Sequence, residues 1–432
     1  MNSDIVQAAQ ALERGDTPAL AAHLQALLPH DARAAKAREF VAAVLSSPAA
    51  IAPTGRERPF LDSIDALIGG RDVPARIARK SMAIGEDLDF LGERGGLGAW
   101  SIAQALNFLL MRRLSPRKRC AVVVSMRDDG VYILQWLAHY LVLGVDRIFV
   151  YTNDNRDGSE VLLRLLAAHD IIALVENKTS GSVSPQGKAF EHAIHLLPEL
   201  RDYEWVFFLD SDEYFVPAAR FGHSIERVIA AAEERHPDDP PSAICFNWLM
   251  FVSGLAYRRG SGLLLERFRH AYPDDHVKSL VRLRHTVSMR TLHAPDTFGE
   301  SFLVDSGFDP IEVVACRAPL NFSGGRLNHY WGRSFEEFSV KKARGDALKI
   351  NDFRRDFDSF FLFDGPQQDD NRWPTDPALA AAVRRRIAEL LGLSGVRAAA
   401  AAVESEYAGL IARYSAHAGL AGVYERLQRR HA

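Results

Sequence analysis

Asp210-Ser211-Asp212-Glu213 stands directly after the apolar run Trp205-Val206-Phe207-Phe208-Leu209. A continuous run of that kind is the pattern of a strand buried on both faces. The acids therefore emerge at a strand's carboxyl end, where open α/β sheets bind ligands. In extended chain, side chains two apart share a side, so Asp210 and Asp212 converge while Ser211 turns away. Convergent carboxylates repel unless a cation lies between them. The hard ions Mg²⁺ and Mn²⁺ prefer oxygen ligands, a diphosphate's included. The chemistry this predicts is a metal-diphosphate site on Asp210 and Asp212. A plainer reading competes, because Asp-x-Asp recurs by chance and acids can cap or solvate the segment that follows. The flanking apolar run and Tyr214-Phe215-Val216 favour the site, since carboxylates buried at such a junction need a partner.

Three further groups deserve chemical weighing. Asn153-Asp154-Asn155-Arg156-Asp157-Gly158-Ser159 reads as a strand-to-helix turn with Asp157 or Ser159 as the helix N-cap. Asp154 and Asn155 also sit where a base or ribose could offer hydrogen bonds. Lys278, Arg282 and Arg284 form a basic run that could meet a diphosphate or line a solvated strand edge. His329, beside Tyr330 and Trp331, reads on its own as a hydrogen-bonded core residue.

The elements that must position these groups follow from periodicity. Cys120–Ser125 is a short Val-rich strand, Tyr132–Leu143 a helix, Arg147–Tyr151 a strand, Ser159–Ala168 a helix and Ile171–Glu176 a strand. This alternation predicts a parallel sheet covered by helices. Ala243–Trp248 reads as another strand after the loop Pro240-Pro241. Up to about Leu114, Ala and Leu recur at helical spacing. From Asp376 helical spacing returns, through Arg384–Leu391 and, after Gly392–Gly395, from Ala398 to Arg429. The expected organisation is a helical region over 1–115, an α/β domain over 116–350 and a helical region over 351–432. The helical ends read as packing surfaces or as sites for a protein partner.

Composition narrows the class. With 432 residues, 47% hydrophobic and 25% charged, usage is that of a globular protein. A formal net charge of -3 gives no general attraction for polyanions, which speaks against nucleic acid as a partner. The one basic patch, Arg112, Arg113, Arg117, Lys118 and Arg119, follows an apolar stretch and could touch anionic lipid head groups. A solvated linker leading into the first strand explains it better. Cys120, Cys245 and Cys316 are odd in number and far apart, so they form neither a disulfide framework nor a zinc signature. No basic head with an apolar core opens the chain, and no window reaches the roughly 20 apolar residues of a membrane span. The expected location is the cytoplasm, with peripheral contact at the inner membrane face as a further possibility.

Three motifs in order carry a resemblance. The stretch from Cys120 to Gly130, then Gln135-Trp136-Leu137, Leu143 to Asp146 and the Asn153 to Ser159 loop, resembles the opening of family 92-type and related family 2 glycosyltransferases. Trp205 to Phe215 is similar to their metal-binding segment. Asn328-His329-Tyr330, Arg333 to Phe338, Lys341 and Arg344-Gly345 resemble their closing motif. The resemblance spans about Cys120 to Asp346. It implies a GT-A fold, a Rossmann-like mixed sheet for a nucleotide-diphospho-sugar. It implies that Arg127, Asp128, Asp129 and Asp154 line the donor pocket, with Asp210 and Asp212 at the metal and diphosphate; Asn155 and Lys278 join the donor-binding candidates on their residue types alone. It further implies that Asp210, Asp212 and His329 hold Mn²⁺ or Mg²⁺. The implied activity is inverting transfer from a nucleotide sugar, UDP-linked, to a glycan or lipid-linked acceptor in polysaccharide biosynthesis. The chain departs from the pattern at Arg127-Asp128-Asp129 for Lys-Asn-Glu, at Gln135 for Glu, and at Thr152 for a frequent Asp, and these positions bear on donor identity.

Such a transfer passes through an oxocarbenium-like state while charge builds on the departing diphosphate. A metal and Lys or Arg offset that charge, and a carboxylate base activates the acceptor if the centre inverts. Glu213, Glu266, Asp274, Asp275, Asp296 and Glu300 lie in regions that could face the acceptor; Glu300 and Asp275, with Asp212, are taken as the catalytic candidates. A metal-dependent phospho- or nucleotidyltransferase would use the same carboxylates, but the chain has no Walker-type loop. A non-catalytic nucleotide-sugar-binding scaffold is the alternative outside the enzymes.

Overall fold

The computed structural model describes residues 16–27, 80–92, 115–181, 183–289, 291–297, 302–344, 357–365 and 369–431, with 7–8, 10–11, 14 and 59–60. The alternation predicted from periodicity is present. Strands β1 Ser81–Ile84, β2 Lys118–Met126, β3 Arg147–Thr152, β4 Ala173–Asn177 and β5 Tyr203–Asp210 lie parallel in the order β1-β4-β3-β2-β5. β1 is an edge strand inside a region read as helical. Four residues are too few to show a period of two. Its segment is fastened by the buried Lys188, whose Nζ donates to Gly85 O (2.6 Å), Lys178 O (2.6 Å) and Asp89 Oδ1 (2.8 Å).

Beyond β5 the sheet turns mixed. β6 is Glu213–Pro217, β7 Ala243–Val252, β8 His270–Arg282, and β9 Thr286–Ser288 pairs with β10 Asp296–Thr297 in a separate ribbon. β8 runs antiparallel to both β5 and β7. Strands β11 Leu303–Val304 and β12 Pro310–Ile311 extend the sheet beside β7, and β13, Gly325–His329, lies parallel to β7 and antiparallel to β6, with His329 opposite Glu213.

Among the described residues the α-helices of seven residues or more are α1 Thr17–Leu27, α2 Gly130–Val142, α3 Ser159–Ala168, α4 Pro185–Leu196, α5 Ile225–Arg235, α6 Phe335–Arg344, α7 Phe357–Phe363, α8 Pro377–Leu391, α9 Val396–Ala418 and α10 Leu420–His431. Capping residues set several of their starts. Ser184, Ser224 and Asp376 accept from the backbone N–H three residues on, and Pro185 and Pro377 occupy the first turn. α9 and α10 replace one long predicted helix, because Gly419 adopts φ 53° and ends α9 in a left-handed cap.

Alternation along β2 distributes the core. Val122 and Val124 face a layer built from Trp136 and Leu137 of α2, Leu163 and Leu166 of α3, and Val383, Val403 and Tyr407 of α8 and α9. Ala121 and Val123 face Phe190 and Ile194 of α4 on the other side. The sheet is thus buried on both faces, as continuous apolar strands require. The C-terminal helices α8 and α9 belong to this same core.

Candidate functional site

Register brings the loops to one edge. Ser125 pairs with Asp210 and Met126 with Thr152, so the chain leaves β2, β3 and β5 side by side. β5 ends at Asp210 and β6 begins at Glu213, so Ser211 and Asp212 form a tight reversal and not the extended chain expected. The carboxylates still share a cleft, because β6 must turn back to pair with β13. Several bonds hold this turn. Ser211 Oγ donates to Asp129 Oδ2 (2.6 Å), Asp210 N–H to Glu213 Oε2 (2.8 Å), and Trp136 Nε1 (3.0 Å) and Tyr140 OH (2.9 Å) to Glu213 O. Tyr330 N–H donates to Asp212 O at 2.9 Å, which brings His329 beside Asp212.

Each carboxylate faces a lysine. Lys278 Nζ lies 3.0 Å from Asp210 Oδ1, which also accepts from Gln186 Nε2. Lys341 Nζ lies 2.5 Å from Asp212 Oδ2 and donates to Trp331 O at 2.8 Å. His329 Nε2 is 3.4 Å from Asp212 Oδ1. Burial alone would raise both carboxyls, but Lys278 holds Asp210 below its ordinary value, and Lys341 with His329 holds Asp212 well below. Glu213 goes the other way: burial, then the charge of Asp210, drives it well above. It is fully buried behind the turn and does not face an acceptor.

The cleft measures about 530 Å³. Asp210, Asp212, His329, Lys341 and Arg344 line it, as do Trp248, Tyr272, Asp274, His276, His293, Trp331 and Phe363.

Other predicted residues lie outside it. Asp128 is buried and paired with Arg156 (2.5 Å), and its N–H donates to Asn155 Oδ1 (3.0 Å). Asp129 is buried between Arg333 (3.2 Å) and Arg344. Arg127 gives its carbonyl to Arg344. Asp154 is exposed with φ 45°. Asp157 accepts from Gly130 N (2.7 Å) and Ser159 N (3.1 Å), so it serves the starts of α2 and α3 together. Lys278 is 1% exposed and lies beneath Asp210, while Arg282 is taken up by Glu204 and Glu233. Asp275 pairs with Arg317 and is not among the cleft residues; its neighbour Asp274 is. Glu266 pairs with Arg384, Asp296 accepts from Ser288 (2.5 Å), and Glu300 lies outside the described residues. In the basic patch, Arg117 pairs with Asp202 and Arg119 with Glu204, Glu226 and Glu233; Arg112 and Arg113 lie outside the described residues.

The cations that face the cleft, Lys341 and Arg344, sit three apart on α6. That spacing puts them on one helix face. The same criterion, applied to Glu337, Lys341 and Arg344 in the sequence, would have singled them out. Trp248, His276 and His293 carry no local signal, because a bulge in β8 at Asp275-His276, opposite Asn247/Trp248, and the loop before β10 assemble them.

With this geometry in place, comparison with known proteins adds a class. Residues 125–258 match the sequence profile of glycosyltransferase family 92, a stretch that contains Asp210 and Asp212 and stops short of His329 and Lys341. A glycosyltransferase family 92 protein of Ricinus communis is 27% identical over 105 residues, which is 24% of this chain and 18% of that protein. The chain thus spans under a fifth of that relative's length. These matches support a glycosyltransferase-family domain on the mixed α/β sheet. No described helix is long and apolar enough to cross a membrane.

The donor set Asp210, Asp212 and His329 has the hard oxygens and single imidazole that Mn²⁺ or Mg²⁺ accepts. It does not form a complete cage. Among the described residues, the trio whose ligating atoms lie within 4.8 Å of one another is Asp274, Asp275 and His276, already engaged with Arg317 and with each other. An ion on Asp210 and Asp212 therefore fits as one that completes its shell with ligand phosphate oxygens, the usual manner for Mg²⁺.

Proposed function

We propose that this chain is a glycosyltransferase of GT-A type that transfers a hexose from a UDP-linked donor to a glycan or lipid-linked acceptor, with inversion. The observation that carries the reading is Asp210 and Asp212 at the carboxyl end of β5, sharing one cleft with Lys341 and Arg344 within a family-matched stretch and its continuation. Mn²⁺ or Mg²⁺ held by Asp210 and Asp212, with His329 alongside, would supply Lewis-acid charge to the diphosphate. The chain's own cations act in the same sense. Lys341 and Arg344 present positive charge where the departing nucleotide diphosphate gains its negative charge. Lys278 keeps Asp210 ionised, and Lys341 does the same for Asp212. Gln186 fixes the rotamer of Asp210. Polysaccharide biosynthesis is the process this reading favours, with the cytoplasm or the inner membrane face as the place.

A screen of nucleotide sugars with Mn²⁺ or Mg²⁺, by calorimetry and sugar release, tests the reading against Asp212→Asn. Metal-dependent binding or turnover of one donor, lost in the variant, is expected. A folded wild type that binds no donor would sink the reading and leave a non-catalytic scaffold.

A further inference from the structure

Asp274 and His276, which line the same cleft as the carboxylate turn, form a pair. They lie on β8 where its pairing with β7 slips: Trp248 pairs with Asp274 and Asn247 with Val277, which leaves Asp275 and His276 as the bulged residues. His276 Nδ1 lies 2.6 Å from Asp274 Oδ1, and the His276 backbone N–H donates to the same oxygen at 2.9 Å. The imidazole stacks on the Trp248 indole at 4.9 Å and 23°. The same indole meets His329 at 4.3 Å, and His329 meets Asp212. One indole ring therefore separates this pair from the carboxylate turn.

The tautomer follows from chemistry. Burial raises the Asp274 carboxyl, but the hydrogen bonds from His276 outweigh it and hold the group below its ordinary value. An ionised carboxylate only accepts, so Nδ1 carries the proton in this contact. With Nδ1 committed to Asp274, Nε2 is the nitrogen left for a ligand in the cleft that His276 lines. A base oriented by a carboxylate on its far nitrogen is the arrangement that activates hydroxyls in acyl transfer.

We infer that His276 Nε2 is the group that takes the proton from the acceptor hydroxyl, with Asp274 as the positioning residue that fixes the ring and stabilises the imidazolium. The inference rests on the transferase reading above. The acceptor O–H bond gives its proton to Nε2 as its oxygen bonds to the anomeric carbon. The bond from that carbon to the diphosphate oxygen breaks, and its electron pair leaves with the nucleotide diphosphate. Of the acids named from the sequence for this role, Glu213 is buried behind the turn, Asp275 faces Arg317, and Asp274 holds the imidazole. The charged or titratable groups around His276 are Asp274 and Asp275 on its own strand, Lys278 further along it, His293 with ring centroids 5.9 Å away, and Arg317 bridged to its backbone.

The test measures binding of UDP-hexoses by calorimetry and sugar release to water, each with Mn²⁺, for wild type, His276→Ala and Asp274→Asn. His276→Ala should bind the donor within about threefold of wild type and lose roughly 100-fold or more in kcat. Added imidazole should restore part of that turnover, since the vacated space lies against Trp248. Asp274→Asn should lower kcat without imidazole rescue. Turnover of His276→Ala within about threefold of wild type overturns the assignment. Absence of donor binding by wild type marks the distinct failure of the transferase reading.

Discussion

Replacing Asp129 by Asn separates a structural pin from a nucleotide contact. The sequence resemblance assigns this residue to the donor pocket, whereas the structure buries it at 3% exposure beneath Arg333 and Arg344, with Ser211 Oγ bonded to Oδ2. Burial would raise its carboxyl, yet Arg344 and Arg333 hold it below the ordinary value. Removing one partner of a buried ion pair costs about 3–5 kcal/mol, because the remaining charge is left uncompensated. Asn keeps one acceptor oxygen, so the lower end, about 3 kcal/mol, is expected. With a urea dependence of about 3 kcal/mol per molar, the unfolding midpoint should fall by about 1 M. Donor affinity, measured by calorimetry at low temperature where the variant is folded, should stay within about threefold. A midpoint within about 0.2 M of wild type, combined with loss of donor binding, would refute the pin and restore the direct contact.

Two buried imidazoles predict acid lability. His139 is depressed to about 4 and His192 to about 3 by burial. Both stay neutral in the fold while the unfolded chain protonates below about 6.5, so stability is lost as pH falls from 6.5 towards 4. For His139 the loss approaches about 3 kcal/mol. His139→Gln, whose amide can still donate to Phe215 O, should flatten the melting temperature against pH over that window; parallel profiles would contradict this. The Asp212–Lys341 pair predicts non-additivity. Asp212→Asn and Lys341→Met should each cost about 3 kcal/mol, and the double variant less than their sum. Additive losses in urea unfolding would show that the two charges do not compensate each other.

Local pattern alone determined the parallel strands β2 to β5 of this protein, though not the edge strand β1. The apolar runs of β2, β3 and β5, the intervening helical periods and the Asp-x-Asp at a strand end follow from backbone geometry and from burial on two faces, both written in neighbouring residues. Tertiary structure decided the rest. Lys278 and Lys341 come 68 and 129 residues from the aspartates they neutralise, and no local period reports so distant a partner. Asp128 and Asp129 look like ligand groups in the sequence, yet arginines from the β3 loop and from α6 enclose them. The Asp274–His276 pair lies close together in sequence, but its meaning depends on the β8 bulge and on Trp248, which stands between His276 and His329. The chemistry of a residue was legible; its partners were not, because they are set by long-range pairing of β6, β7, β8 and β13.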